Sequence, residues 1–255
     1  GPAVMGIIIA QSSFTTAYAL SVILYGSAVL CMFGIEKSRS SEPGDEKKPL
    51  LADIVQGLSY MRQNRPVLIC LLFGLLPMFL AMPFQNILVM LAEQAWQAGE
   101  SGVGILMGTG GVGGVLGAIW IVRRGENASR LKLMLGCTIA FGIFLGLFAQ
   151  TSNFYVALLP LLAANLCASA SQTVNNASMQ LLVVDKLRGR MSSFMMLSYG
   201  LTPIGVFPMA IVADNIGAAN AILGASVILV VLVSLFYLGS STLRRLDQSV
   251  ATAMA

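Results

Sequence analysis

Seven apolar runs long enough to cross a bilayer alternate with polar connections, and every lysine and arginine lies in every second connection. The runs fall at about 16–35, 67–92, 102–122, 131–150, 154–183, 191–213 and 219–240, with a shorter one at 1–10. A bilayer core needs about 20 helical residues. Hydrocarbon offers no partner to a free backbone amide, so only helices and closed barrels span it. Runs of this length without period-two alternation predict helices. The expected fold class is all-α, a polytopic membrane helix bundle.

Composition points the same way. Of 255 residues, 56% are hydrophobic and 10% charged, against about 25% charged in an average soluble domain. Mean hydropathy is +0.82. A net charge of +4 would suggest nucleic acid for a soluble chain. In a membrane chain the position of the positive charge matters, not its sum. Membrane lipids are therefore expected partners and nucleic acid is not.

The basic residues fall in four segments. Residues 36–66 hold Lys37, Arg39, Lys47, Lys48, Arg62 and Arg65; residues 123–132 hold Arg123, Arg124, Arg130 and Lys132. Lys186, Arg188 and Arg190 lie in 185–190, and Arg244 and Arg245 in the tail. The intervening connections, near 11–15, 93–101, 151–153 and 214–218, carry Glu93, Glu100 and Asp214 but no Lys or Arg. The positive-inside rule places the four basic segments in the cytoplasm.

Several chemistries are excluded. Histidine is absent, which removes histidine triads, metal sites and proton relays. The four cysteines, Cys31, Cys70, Cys137 and Cys167, lie in separate apolar runs without metal-ligand spacing, and read as packing residues. With no HExxH, no Ser–His pair and no paired intramembrane Asp, an enzyme is not expected, nor a cofactor or metal.

Domain boundaries follow from the pattern. Residues 1–35 hold a half span and one span, 36–66 a cytoplasmic linker, 67–240 six spans, and 241–255 a cytoplasmic tail. The linker opens with the polar "EKSRSSEPGDEKKP", a flexible stretch. Leu51, Ile54, Val55, Leu58 and Met61 follow at helical spacing, which predicts an amphipathic helix at the membrane surface or a solvated one. The start, "GPAVMG", reads as a cut inside a helix of a longer protein.

Polar residues inside apolar runs are the candidate transport residues. Asn165, Gln172, Asn175, Asn176 and Gln180 lie in one run, and Asn165, Gln172, Asn176 and Gln180 recur at steps of seven, four and four. A lipid-facing amide is costly, so that face should meet a cavity or a partner helix. Gln85 and Asn86 lie near Pro77 and Pro83, which bend helices and free carbonyls. Tyr199 and Thr202, near Pro203 and Pro208, repeat that combination. Gly104 with Gly108, Gly110 with Gly114, and Gly113 with Gly117 are i, i+4 pairs that let helices approach closely, for static packing or for rocking. Asp185, Arg188 and Arg190 are candidate cytoplasmic gate residues or topological anchors, and Arg123 and Arg124 join them. No Asp, Glu, Lys or Arg lies in the middle of a span, so an ionisable proton carrier is expected outside this chain.

Four stretches carry a family resemblance: "GPAVMG", "ADIVQGLSYMRQNRPV", "DKLRGRMSS" and "YGLTPIGVFPMAIVADNIG". With the order of spans, they resemble the major facilitator superfamily, in its bacterial drug and siderophore exporter branch of enterobactin exporters and macrolide efflux proteins. The match runs from the end of the fifth helix through the central loop and the complete second six-helix bundle. One departure is "GAIWIVRRGENASRLK", which keeps Gly117, Arg123, Arg124 and Gly125 of a family loop but lacks its Asp, and with it the carboxylate of that gate contact. The resemblance implies a multi-pass protein of the bacterial cytoplasmic membrane. It implies a secondary active antiporter that exports a drug or siderophore by alternating access, coupled to protons. The missing N-terminal half and a small-molecule substrate would be its partners. A lysophospholipid flippase of the same fold, or a non-transporting scaffold or sensor, are the alternatives.

Overall fold

A computed structural model describes residues 14–34, 64–124, 129–183 and 200–240. Among them are eight helices and no strand: α1 Phe14–Phe33, α2 Arg65–Leu80, α3 Phe84–Trp96, α4 Gly99–Arg124, α5 Arg130–Gln150, α6 Phe154–Leu182, α7 Thr202–Ile216 and α8 Ala218–Gly239. The all-α membrane bundle expected from the apolar runs is the observed class. Five stretches are long and apolar enough to cross a membrane: Arg65–Trp96, Ser101–Arg124, Arg130–Gln150, Phe154–Leu182 and Ala218–Gly239. Tyr18–Phe33 and Thr202–Ile216 are shorter apolar helices. The run at 1–10, the linker helix and the tail lie outside the described residues.

Local capping explains why two helices begin at the edges of their runs. The Ser129 hydroxyl accepts from the Lys132 amide at 3.3 Å, opening α5. The Asn153 side chain accepts from the Tyr155 and Val156 amides at 3.0 and 3.2 Å, opening α6. Each supplies an acceptor to first-turn N–H groups that the helix itself leaves unpaired.

The long helix α6 is the centre of the bundle and packs along both α4 and α5. On the other side of α5 lies α8, which also carries α7. Phe73, Phe84, Phe141, Phe148, Leu91, Leu106, Met134 and Leu161 are fully buried between these helices. Outward faces are apolar as well: Val122, Leu159 and Phe207 are each more than 70% exposed. Apolar contact on the outside is what lipid requires and water penalises. Helix α1 has large exposed apolar residues along its length, Tyr25 at 76% and Phe33 at 83% among them.

One end of the bundle is tied by α3. The Trp96 indole N–H donates to the Thr151 carbonyl at 3.1 Å. Its ring packs on Phe148 and Phe154, with centroids 5.7 and 5.8 Å apart. The Gln94 side-chain oxygen accepts from the Ala218 amide at 3.1 Å. Thus the end of α3 holds both the α5–α6 and the α7–α8 connections, on the side of the bundle whose connections lack basic residues.

Candidate functional site

The stretch 65–96 reads in sequence as one span, and two prolines break it. The Ala81 and Met82 amides both donate to the Pro77 carbonyl, at 3.0 and 2.8 Å. The Phe84, Gln85 and Asn86 amides donate only three residues back, to Ala81, Met82 and Pro83. Pro83 has no N–H to give Phe79. The α-helical ladder is therefore interrupted between α2 and α3, and the chain re-enters a helix with Gln85 and Asn86 on its first turn.

Helix α7 packs on this break through Gly205. A Cβ built there would stand 2.5 Å from the Phe79 carbonyl oxygen and 3.1 Å from the Pro83 ring. Only a residue without a side chain lets α7 meet the carbonyl that has lost its helical donor.

Beside the break is a cleft of about 400 Å³ between α3, α4 and α6. Gln85 and Asn86 line it from α3, Gly110 and Gly111 from α4, and Asn165 from α6, with Phe84, Leu106 and Leu161 as apolar wall. Asn165 donates its side-chain N–H to the Leu161 carbonyl at 2.9 Å. A Cβ on Gly110 would lie 3.3–3.5 Å from the Asn165 amide, so the glycine leaves that amide room at the cleft edge. Asn165 and Gly110 sit near the middle of α6 and α4, and the break falls midway along 65–96. The cleft therefore opens near the centre of the spans. Its size suits a small organic ligand, and its few polar groups on an apolar wall suit orientation of such a ligand by hydrogen bonds.

Three amides expected on the substrate path, Gln85, Asn86 and Asn165, are thus brought to one cleft. The remaining ones are not. Gln172 lines a separate small void deeper in the bundle. Asn176 is half-buried, Gln180 is exposed near the end of α6, and Thr202 is half-buried at the start of α7. Asn175 is a buried polar residue of α6 that the stripe at 165, 172, 176 and 180 passes by. Its position one residue before Asn176 turns it about 100° around the helix. Tyr199, Asp185, Arg188 and Arg190 lie outside the described residues.

The glycines of α4 divide by face. Gly110, Gly113 and Gly117 meet α6, Gly113 against the Leu162 carbonyl and Gly117 against the Leu166 carbonyl. Gly114 has nothing within 4 Å of a Cβ position, so Gly110 and Gly114 do not act as a pair on one partner. Gly104 and Gly108 are half-buried. Arg123 and Arg124 end α4, exposed, where cations complement the helix dipole. The Arg124 guanidinium lies 5.1 Å over the Trp120 ring, a cation–π contact within the last turn of α4.

Among the described residues no cluster of three or more His, Cys, Asp or Glu side chains is placed to hold a metal. A family model described as "Major Facilitator Superfamily" matches residues 1–205. A "Staphyloferrin A transporter" of Staphylococcus aureus (strain NCTC 8325 / PS 47) is 24% identical over 239 residues, covering 92% of this chain and 59% of the relative. The chain thus spans less than two thirds of that relative's length. No solved structure matches.

Proposed function

Because the chain belongs to the major facilitator superfamily, a family of membrane transporters and not of enzymes, we propose that it supplies one helical half of a secondary active exporter for a small amphipathic compound. A siderophore is the substrate class to test first, since the relative above is named for one. The cleft lined by Gln85, Asn86 and Asn165 is this half's wall of the substrate path. A second bundle, outside this chain, closes the path, and alternating access exposes it to either side.

The observation that carries this reading is the convergence of three amides on one cleft near the middle of otherwise apolar spans. Polar groups at that depth are costly unless they face a partner or a water-filled path. In this reading export is driven by protons. No Asp, Glu, Lys or Arg lies at mid-length in α2–α8, so the proton carrier belongs to the remainder of the protein. The protein sits in the bacterial cytoplasmic membrane with its basic connections inside.

Efflux of a labelled siderophore from cells expressing the full-length protein tests the reading. Faster efflux than in cells without it, abolished when the proton gradient is collapsed, is expected. Efflux indifferent to expression would refute transport of this class. Efflux that survives collapse of the gradient would refute proton coupling alone.

A further inference from the structure

A void of about 10 Å³ lies where α2, α5 and α6 meet, away from the cleft. Its polar lining is Thr138 from α5 and Ser171, Gln172 and Asn175 from α6, which face Phe73, Gly74 and Pro77 of α2. That volume is about one water-sized sphere. A dry void of this kind is normally apolar, and four polar side chains reach this one.

Asn175 is only 4% exposed. Its side-chain oxygen is buried without a hydrogen-bond partner in the protein. The amide stands hard against α2, since a Cβ on Gly74 would lie 2.6 Å from Asn175 Nδ2. Pro77, on the same wall, has no N–H to offer the Phe73 carbonyl four residues back. The Thr138 and Ser171 hydroxyls are engaged with each other, 2.6 Å apart, Ser171 Oγ lies 3.3 Å from the Met134 carbonyl, and Gln172 has an interaction of its own. What Asn175 Oδ1 lacks is a donor. Asn175 Oδ1 and the Phe73 carbonyl both accept, and leaving a buried acceptor unpaired costs about 1–3 kcal/mol.

We propose that the void is a binding site for one ordered water. Its two O–H groups donate to Asn175 Oδ1 and to the Phe73 carbonyl, and the Thr138–Ser171 pair supplies its third neighbour. A water needs two to four polar partners to stay in such a place, and these groups provide them. The water joins α6, which carries Asn165, to the proline turn of α2, which leads into Gln85 and Asn86. The two walls of the cleft are thus held at a second point, through a water instead of a direct contact.

A structure of the full-length protein at a resolution that shows ordered water decides the occupant. The expected result is one peak about 2.7–3.2 Å from Asn175 Oδ1, with a second partner among Phe73, Thr138 and Ser171. An empty void would overturn the proposal. So would a peak ringed by five or more oxygens at about 2.3–2.6 Å, the spacing of a bound cation. Thermal unfolding of Asn175→Leu gives an independent sign. A dry, unpaired amide would be relieved by leucine, so an unchanged or higher Tm than wild type contradicts the bound water. A Tm lower by a few degrees is expected, because the water and both its hydrogen bonds are lost.

Discussion

Gly117 and Leu166 meet backbone to backbone: the glycine of α4 lies so close to the leucine carbonyl of α6 that a methyl group has no space between them. Gly113 repeats the contact one turn earlier against Leu162. These two contacts set the distance between the helices that form two sides of the cleft, and they do so with backbone, which cannot rotate away.

Gly117→Ala is therefore expected to push α4 from α6 and to destabilise the protein by about 1–3 kcal/mol, the usual cost of overpacking. Gly114→Ala, three residues away in sequence, meets nothing. It is expected to be neutral or to gain up to about 1 kcal/mol from helix propensity. Thermal unfolding of the two purified variants compares them; equal effects would mean that α4 does not approach α6 by this face.

Trp96→Phe keeps an aromatic ring beside Phe148 and Phe154 but removes the indole donor to Thr151. Denaturation should show a loss of about 0.5–1.5 kcal/mol. Gln94→Ala removes a different tie, to the Ala218 amide. Because the two ties hold different connections, their costs should add within about 0.5 kcal/mol. A double variant no worse than either single one would show that the end of α3 is not the common anchor.

Orientation is open to a labelling test. In a background without the native cysteines, Lys132→Cys is expected to react with an impermeant maleimide only from the cytoplasmic side. Ser152→Cys should react only from the opposite side. Both positions are exposed at the two ends of α5 and its connection to α6. Reaction of both from one side would contradict the assignment of the basic connections to the cytoplasm.

Much of the bundle is legible in the sequence because lipid imposes a simple demand. A span must be apolar and about 20 residues long, and Ser129 and Asn153 mark the starts of α5 and α6 by supplying acceptors there. The cleft is only partly legible. Pro77 and Pro83 announce a bend, but the run 67–92 does not say where the ladder reopens, and that choice puts Gln85 and Asn86 on the first turn of α3. Asn165 shares a stripe with Gln172, yet the two face different cavities because α4 covers one part of α6, while α2 and α5 meet it at the other. Asn175 and Asn176 are adjacent and of the same type, and only packing distinguishes the buried one. Gly113 and Gly114 pose the same problem. A one-residue step on a helix changes the partner, and the partner is set by tertiary structure.

The most direct measurement is transport by the full-length protein carrying Asn165→Leu, at membrane abundance matched to wild type. Leucine keeps the bulk of the side chain at the cleft and removes its hydrogen-bonding groups. If the cleft is on the substrate path, siderophore efflux falls at least several-fold, with Gln180→Leu, exposed near the end of the same helix, close to wild type as the control. Undiminished efflux by Asn165→Leu would contradict the assignment of the cleft to the path.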